Sequence, residues 1–281
     1  MLNARSIRGK LSEFSATLNY IKPDIVCCTE SWLFGKKPGL NHEKDAFLDS
    51  ELTSDQYKVY RNDRNSEGGG VFILVNKSII SIEETSLVTH CELDWVKVKL
   101  RGAKDLYIGC FYMPNRNSHD INQLEESLSK LNSTNPKHIV LTGDFNCPDI
   151  HWESGNVKDG AVQAPIHQQL VDLAMDYNLT QVVDSPTRKE HILDLCLTTN
   201  PSLIKDVKVI MGISDHHAVV IDSTIRPIYQ KSTNKRMLNF AKADWPGLRS
   251  KCSEIAEDII SNSTEDDTIN ELWVKFKKKT K

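Results

Sequence analysis

Polar side chains with chemical potential stand where the apolar, strand-like runs of this chain begin or end. Glu30 follows "IVCCT", Tyr112 closes "LYIGCF", and Asp144 and Asn146 follow "HIVLTG". Asp194 opens "LDLCLTT", and Ser214, Asp215 and His216 precede "HAVVID". A turn needs only small polar residues, and Gly143-Asp144 followed by Asn146 and Pro148 satisfies turn chemistry by itself. An acid, an amide, a phenol and an imidazole recurring at strand ends is more than turns require. If the strands share a sheet with these ends on one side, the groups converge. Carboxylates without clustered His or Cys favour a hard, oxygen-seeking cation such as Mg2+ over zinc. The matching reaction is metal-assisted phosphate ester hydrolysis, which needs a Lewis acid, a group that takes a proton from water, and donors for developing negative charge.

Each residue also has a plain structural explanation. Glu30 alone reads as a solvated strand end, Asp194 as a turn cap after Ile192, and Tyr112 as a half-buried aromatic with its hydroxyl in water. His216 and His217 are adjacent and point to opposite faces of a strand, so one of them is structural.

The elements that must position these groups are legible from periodicity. Ile7, Leu11, Phe14 and Leu18 mark one helical face over residues 7 to 20. Two further helical windows cover residues 121 to 131 and 166 to 177. Between them "DIVCCTE", "GGGVFILVN", "WVKVKL", "LYIGCFY", "HIVLTGD", "ILDLCLTT" and "HHAVVIDS" are short, β-branched and bounded by Gly, Pro, Asn or Asp, as strands are. "WVKVKL" alternates and reads as half-exposed, whereas "VFILV" reads as buried on both faces. Interleaved helices and strands indicate a layered α/β domain. Residues 224 to 240, polar and carrying Pro227, read as a linker after a boundary near 225. Residues 244 to 281 resume a weak helical pattern, and their basic end, "WVKFKKKTK", reads as a solvated helix tail.

The formal charge of −3 and pI near 6.3 give no overall pull toward a polyanion, so such a partner must be held by a local patch or a metal ion. Seven cysteines, with no C-x-x-C pair, suggest reduced and mostly buried thiols rather than a disulfide framework or zinc knuckle. The first residues are too polar for a signal peptide, and no apolar run approaches the roughly 18 residues of a spanning helix. The expectation is an intracellular, nuclear or cytoplasmic protein, neither secreted nor membrane-bound.

In this order, "NARSI", "TESWL", "GGGVFILV", "FYMPN", "LTGDFNCPDIHW", "PTRKEHILDLCLTT" and "SDHHAVV" closely resemble the endonuclease/exonuclease/phosphatase (DNase I-like) superfamily. Within it they resemble the apurinic-endonuclease-like domain of non-LTR retrotransposons of the jockey type. The resemblance covers about residues 3 to 222. It implies a four-layered α/β sandwich, with two packed mixed β-sheets flanked by helices. Carried onto this sequence, it makes Glu30 the principal metal ligand with Asn3 beside it, and places Asp215 near the metal. Asp144 orients or deprotonates the attacking water, Asn146 steadies that water or the phosphate, and Tyr112 hydrogen-bonds the scissile phosphate. His216 donates to a phosphate oxygen while Asp194 fixes its tautomer and keeps it protonated. Ser214 hydrogen-bonds at the phosphate. Thr187 and Arg188, in "PTR", and Arg61 and Arg64, in "YRNDRN", are candidates for DNA phosphate contacts. Residues 199 to 213 are expected as a surface loop beside the site that could enter a DNA groove.

The resemblance further implies a Mg2+-dependent endonuclease, with Mn2+ as a substitute, that nicks duplex DNA. Element RNA and a reverse transcriptase are its partners in a full-length element. It also implies a core strand ahead of Asn3, where only Met1 and Leu2 stand, so residues 1 to 225 read as a domain shortened at its first strand. Residues 226 to 281 read as the linker and helical spacer leading toward the polymerase. Two other readings stay open: a phosphoesterase of the same fold acting on abasic DNA or another phosphate ester, and a degenerate fragment that binds nucleic acid without catalysis.

Overall fold

Successive side chains of a strand face opposite ways, and this period of two decides which layer each residue of the chain enters. A computed structural model describes residues 1–53, 55–64, 67–102, 104–132, 138–230, 240–263 and 267–279. In chain order the elements begin with β1 (Leu2–Asn3), α1 (Leu11–Ile21), β2 (Ile25–Thr29), α2 (Asp49–Leu52), β3 (Tyr57–Asn62) and β4 (Val71–Asn76). Then come β5 (Ser81–Glu83), β6 (Glu92–Val98), β7 (Leu106–Tyr112), α3 (Ser118–Asn132), β8 (His138–Asp144), β9 (Ile150–His151) and β10 (Asn156–Val157). The series ends with α4 (Ala164–Asp176), β11 (Thr180–Gln181), β12 (Asp194–Thr198), β13 (Ile204–Ile210), β14 (Ala218–Ser223), α5 (Trp245–Ser261) and α6 (Ile269–Lys279).

The first sheet has the order β1-β2-β4-β3, and the second β11-β12-β8-β7-β6-β5. Both are mixed, since β1 runs parallel to β2 and β7 parallel to β8 while the other pairs are antiparallel. The apolar run of β4 is divided between two cores. Val71, Ile73 and Val75 meet Val96, Val98, Ile108 and Cys110 of the second sheet, whereas Phe72 and Leu74 pack with Phe14 of α1. Trp95, Phe111 and Leu141 turn to the far face of the second sheet, under Leu124 and Leu128 of α3 and Leu170 of α4. The result is four layers, helix, sheet, sheet, helix, which is the sandwich expected from the sequence.

The first strand, expected to be shortened, is a two-residue stub. Leu2 and Asn3 pair with Cys28 and Thr29, and on the other side Met1 exchanges backbone bonds with Val219, 2.8 and 2.9 Å long. β1 therefore bridges β2 and β14. Two expectations change. Residues 204 to 210 are strand β13, paired along its length with β14, and not a loop; its alternation of polar and apolar residues is that of a strand with one solvated face. The presumed linker is attached as far as Gln230: Ile228 and Gln230 bond to the edge formed by Ser78, Ile80 and Lys99. Pro227 is tolerated there because an edge segment need not donate from every N–H. Residues 231 to 239 of that segment lie outside the described residues. "WVKVKL" is more covered than expected, with Trp95 fully buried and its indole N–H donating to Ser127.

By contact the chain divides into two compact units, Met1–Lys231 and Ser232–Lys281. The second holds α5, capped by the Asp244 side chain accepting from the Gly247 N–H at 3.0 Å, and α6, on which Trp273 and Phe276 stack.

Gly143 is the tightest position in the sheets. Its φ is +148°, and a Cβ there would sit 1.8 Å from the Phe111 carbonyl oxygen. Gly143→Ala is therefore expected to cost at least about 3 kcal/mol, read as a lower urea midpoint, since backbone and not a flexible side chain must give way. A midpoint within error of the parent would contradict this packing.

Candidate active site

Strand register gathers the site. Tyr112 of β7 lies opposite Asp144 of β8, and Asp144 opposite Asp194 of β12. All three share the face of Cys110, Thr142 and Cys196, which turns toward the other sheet, so a phenol and two carboxyls form one row at the rim of the sandwich. Neighbouring strands are about 4.8 Å apart. Asp144 and Asp194 thus stand side by side, each 1% exposed.

The opposite sheet supplies the rest. Asn3 sits in parallel register with Thr29, and its Nδ2 donates to Glu30 Oε1 and to Asp144 Oδ2, both at 2.9 Å. The Arg5 N–H donates to Asn3 Oδ1 at 3.0 Å and fixes which end of the amide faces the acids. Asn3 therefore joins the two carboxylates through its amide nitrogen, beside Glu30 as expected. The chain is bent sharply at Glu30 and Asn146, whose φ values are +50° and +49°. Such left-handed backbone is uncommon for residues other than glycine, and here it falls on two residues of the site. Asn146 is held by its N–H to Asp144 Oδ1 at 3.0 Å and by its Nδ2 to the Met113 carbonyl at 2.9 Å.

His216 arrives on the approach to β14 and is buried, whereas His217 is exposed, which settles which of the two imidazoles points inward. His216 Nδ1 lies 2.7 Å from Asp194 Oδ2. Burial opposes charging this ring, but the hydrogen bond and charge of Asp194, with Asp144 behind it, outweigh burial and raise its pKa. Burial, then the charges of Glu30 and Asp144, push the Tyr112 phenol far above its usual range, so it stays a donor. The guanidinium of Arg64 lies 5.9 Å from the centre of the Tyr112 ring and pairs with Glu92, the register partner of Tyr112.

The donor set fits a hard divalent cation. Among the described residues, ligand atoms of Asp144, Asp194 and His216 all lie within 4.8 Å of one another. Asp194 Oδ1 is buried without a hydrogen-bond partner. Burial and then the charge of Asp194 push the Asp144 carboxyl up to about 7, against the pull of His216, the Asn146 N–H and Asn3. The cluster thus carries more negative charge than its neighbours neutralise, which a cation corrects. Since Asp194 occupies His216 Nδ1, the cluster leaves oxygens of Asp144 and the unpartnered side of Asp194 for a cation, and Glu30 is tied to Asp144 through the Asn3 amide.

Several expected residues are elsewhere or serve otherwise. Arg61 is fully buried and cannot reach a phosphate. It holds Asp63 through two bonds, 3.1 and 2.6 Å, as well as Asp49 at 2.9 Å and the Phe47 carbonyl at 2.7 Å. Thr187 is also fully buried, and its Oγ1 accepts from the N–H groups of Leu193 and Asp194, so it braces the head of β12 instead of touching DNA. Ser214 donates to the Asn3 carbonyl at 2.6 Å and accepts from the His216 N–H, tying β1 to the His216 loop rather than presenting its hydroxyl to a phosphate. Asp215 turns away from the cluster to Arg188, 2.6 Å away, and Arg5, 3.4 Å away; burial works the other way, but these guanidinium groups hold its carboxyl below the usual range. Arg188 stays on the rim, half-buried. The sequence reading missed Arg116, Lys189 and His191, which line a cleft with Asn146. Their only signal was proximity to Tyr112 and Asp194, and charged turn residues are usually just solvated.

Residues 106–220 match a sequence family described as "Endonuclease-reverse transcriptase". The match takes in Tyr112, Asp144, Asn146, Asp194 and His216, and leaves Asn3 and Glu30 outside. No curated protein matches the chain in sequence. Among solved structures, the endonuclease domain of TRAS1, a telomere-specific non-LTR retrotransposon, is similar with a TM-score of 0.59 at 16% identity, over 79% of this chain and 95% of that one. A 3′ phosphatase, NExo, from Neisseria, bound to product DNA hairpin, gives 0.57 at 16%, over 79% and 97%. An AP endonuclease from Archaeoglobus fulgidus gives 0.55 at 18%, over 79% and 97%. At these identities the structures speak to architecture. They share the layered α/β architecture of this chain, and the family match falls within the half of the fold that carries β7, β8, β12 and the approach to β14.

The titrations predict how stability depends on pH. Between the ordinary aspartate range and about 7, the folded state binds a proton at Asp144 that the unfolded state releases, so stability falls as pH rises through that window. The raised His216 contributes stability fully below about 6.5, which is lost as pH climbs through its folded value. The metal-free protein is therefore expected to melt at lower temperature near pH 8 than near pH 5, and saturating Mg2+ to raise the melting temperature more at about pH 8 than at about pH 5. Calorimetry in EDTA and in Mg2+ reads both effects; an equal Mg2+ response at the two pH values would contradict the assigned cluster.

Proposed function

We propose that this chain is a Mg2+-dependent DNA endonuclease that nicks one strand of a duplex target and leaves a 3′-hydroxyl from which reverse transcription can be primed. The observation that carries the reading is the meeting of Asn3, Glu30, Tyr112, Asp144, Asp194 and His216 at one rim of the sandwich. The match of residues 106–220 to an endonuclease-reverse transcriptase family supports the choice of substrate.

Glu30 and Asp144 would hold a divalent cation, Mg2+ or in its place Mn2+, which when bound would supply Lewis acidity at the phosphate. Asp144, set by Asn3 and by the Asn146 N–H, orients water for in-line attack and accepts its proton. The Asn146 amide, anchored through Nδ2 to Met113, leaves Oδ1 to hold that water. With Nδ1 turned to Asp194, the His216 ring directs Nε2–H at a non-bridging oxygen, and the Tyr112 hydroxyl donates to another. The bond from water oxygen to phosphorus forms as the bond from phosphorus to O3′ breaks, and the departing oxygen takes a proton to become the 3′-hydroxyl. DNA as partner rests on this site and on the family match, since the bulk charge of the chain does not attract it.

In Mg2+, wild type is expected to nick supercoiled plasmid, with Asp144→Ala and His216→Ala each slower by about 10² to 10⁴-fold, the usual worth of such a group. Equal rates would remove the catalytic assignment. Faster cleavage of an abasic oligonucleotide than of intact duplex would turn the reading to an abasic-site enzyme of the same fold.

A further inference from the structure

The row at the rim accounts for one phosphate, yet the charge around it extends further. Beside Asn146 opens a cleft of about 320 Å³ lined by Arg116, Arg188, Lys189 and His191, and no acid lines it among the described residues. This is unusual in a chain whose net charge is −3. Two segments build it. One is the loop after β7, which carries Arg116 four residues past Tyr112. The other is a tight turn in which Arg188 and His191 exchange backbone bonds of 3.1 and 3.0 Å, with Lys189 at its tip at a φ of +50°. Thr187 locks that turn to the N–H groups of Leu193 and Asp194, so its position is set by the same strand that carries the row.

The cations of the cleft are under-compensated. Arg188 shares Asp215 with Arg5. Arg116 makes one long bond, 3.4 Å, to the Val162 carbonyl, and neither it nor Lys189 has an acidic partner among the described residues. The volume suits a small group, since ligand pockets begin at about 300 Å³. An uncharged sugar or a base placed there would leave these cations unanswered. An anion would not, and because the cleft shares Asn146 with the reacting centre, the anion must be joined to the scissile group by a short link. A nucleic-acid strand carries such an anion at every nucleotide, about 3.4 Å apart along the axis.

We propose that this cleft is a second phosphate site, gripping the phosphodiester adjacent to the scissile one on the same DNA strand. It rests on the nuclease reading for what occupies the neighbouring position, and it defines the substrate as a polymer strand instead of an isolated phosphate ester. Phosphate contacts of this kind fix register on the strand and carry no sequence information themselves.

The test uses the full chain carrying Arg116→Ala and Lys189→Ala together, beside the charge-keeping pair Arg116→Lys and Lys189→Arg. Binding of a labelled duplex is measured by anisotropy in EDTA across a salt series, and plasmid nicking is measured in Mg2+. Each lost contact lowers the slope of log K against log salt by about 0.9, so the alanine pair should flatten it by about 1.8 and weaken binding by roughly 10 to 100-fold at low salt. Nicking should fall through KM more than kcat, and the charge-keeping pair should retain the wild-type slope. A wild-type slope and KM in the alanine pair would overturn the cleft while leaving the nuclease reading intact. A cleft-dependent slope in a chain that cuts nothing would do the reverse. A chain that neither binds nor cuts duplex overturns both.

Discussion

Two buried carboxyl groups forced side by side by strand register are the constraint around which the rest of the site is arranged. Asp144 and Asp194 are direct neighbours across β8 and β12, and nothing in the sheet can separate them without slipping every apolar residue of those strands to the wrong face. Like charges at that spacing out of water are costly unless answered. The answers come from different parts of the chain. Asn3 and the Asn146 N–H bind Asp144, His216 binds Asp194, and the oxygens left over suit a divalent cation. Chemistry and charge balance are the same problem here, solved by the same atoms.

The surrounding structure keeps those answers in place. Ser214 fastens the His216 loop to the backbone of Asn3, so the imidazole and the amide are placed together. Thr187 fixes the start of β12. Gly143 lets β8 pass within touching distance of β7 just before Asp144, where any larger residue would meet the Phe111 carbonyl. Arg61, expected at a phosphate, instead anchors the segment that follows Glu30. It bonds to Phe47 and Asp49 within that segment and to Asp63 at the end of β3, and the buried pair would be expensive to break.

Legibility from sequence followed periodicity. The helices α1, α3 and α4 and the strands β2, β4, β7, β8, β12 and β14 carry apolar patterns long enough to read, and the polar residues at their ends were legible by type. What escaped lacked such a pattern. β1 is two residues long and is defined by its partners, and β13 mixes lysines with valines on a partly solvated hairpin. The destination of a polar side chain was the hardest matter. Arg61, Thr187 and Ser214 look the same in sequence whether they meet a phosphate or a backbone group, and only burial and distance distinguish these. The order of motifs in the sequence carried the resemblance, whereas the Asn3 amide bridging two acids, and the basic cleft by Asn146, needed coordinates.

The proposed cation between the acids of the two sheets is most directly tested by locating it. Crystals soaked in Mn2+ and measured at the manganese edge should show a single strong anomalous peak within bonding distance of carboxylate oxygens from both Glu30 and Asp144, lost in Glu30→Gln. A peak elsewhere, or none at saturating Mn2+, would contradict the account.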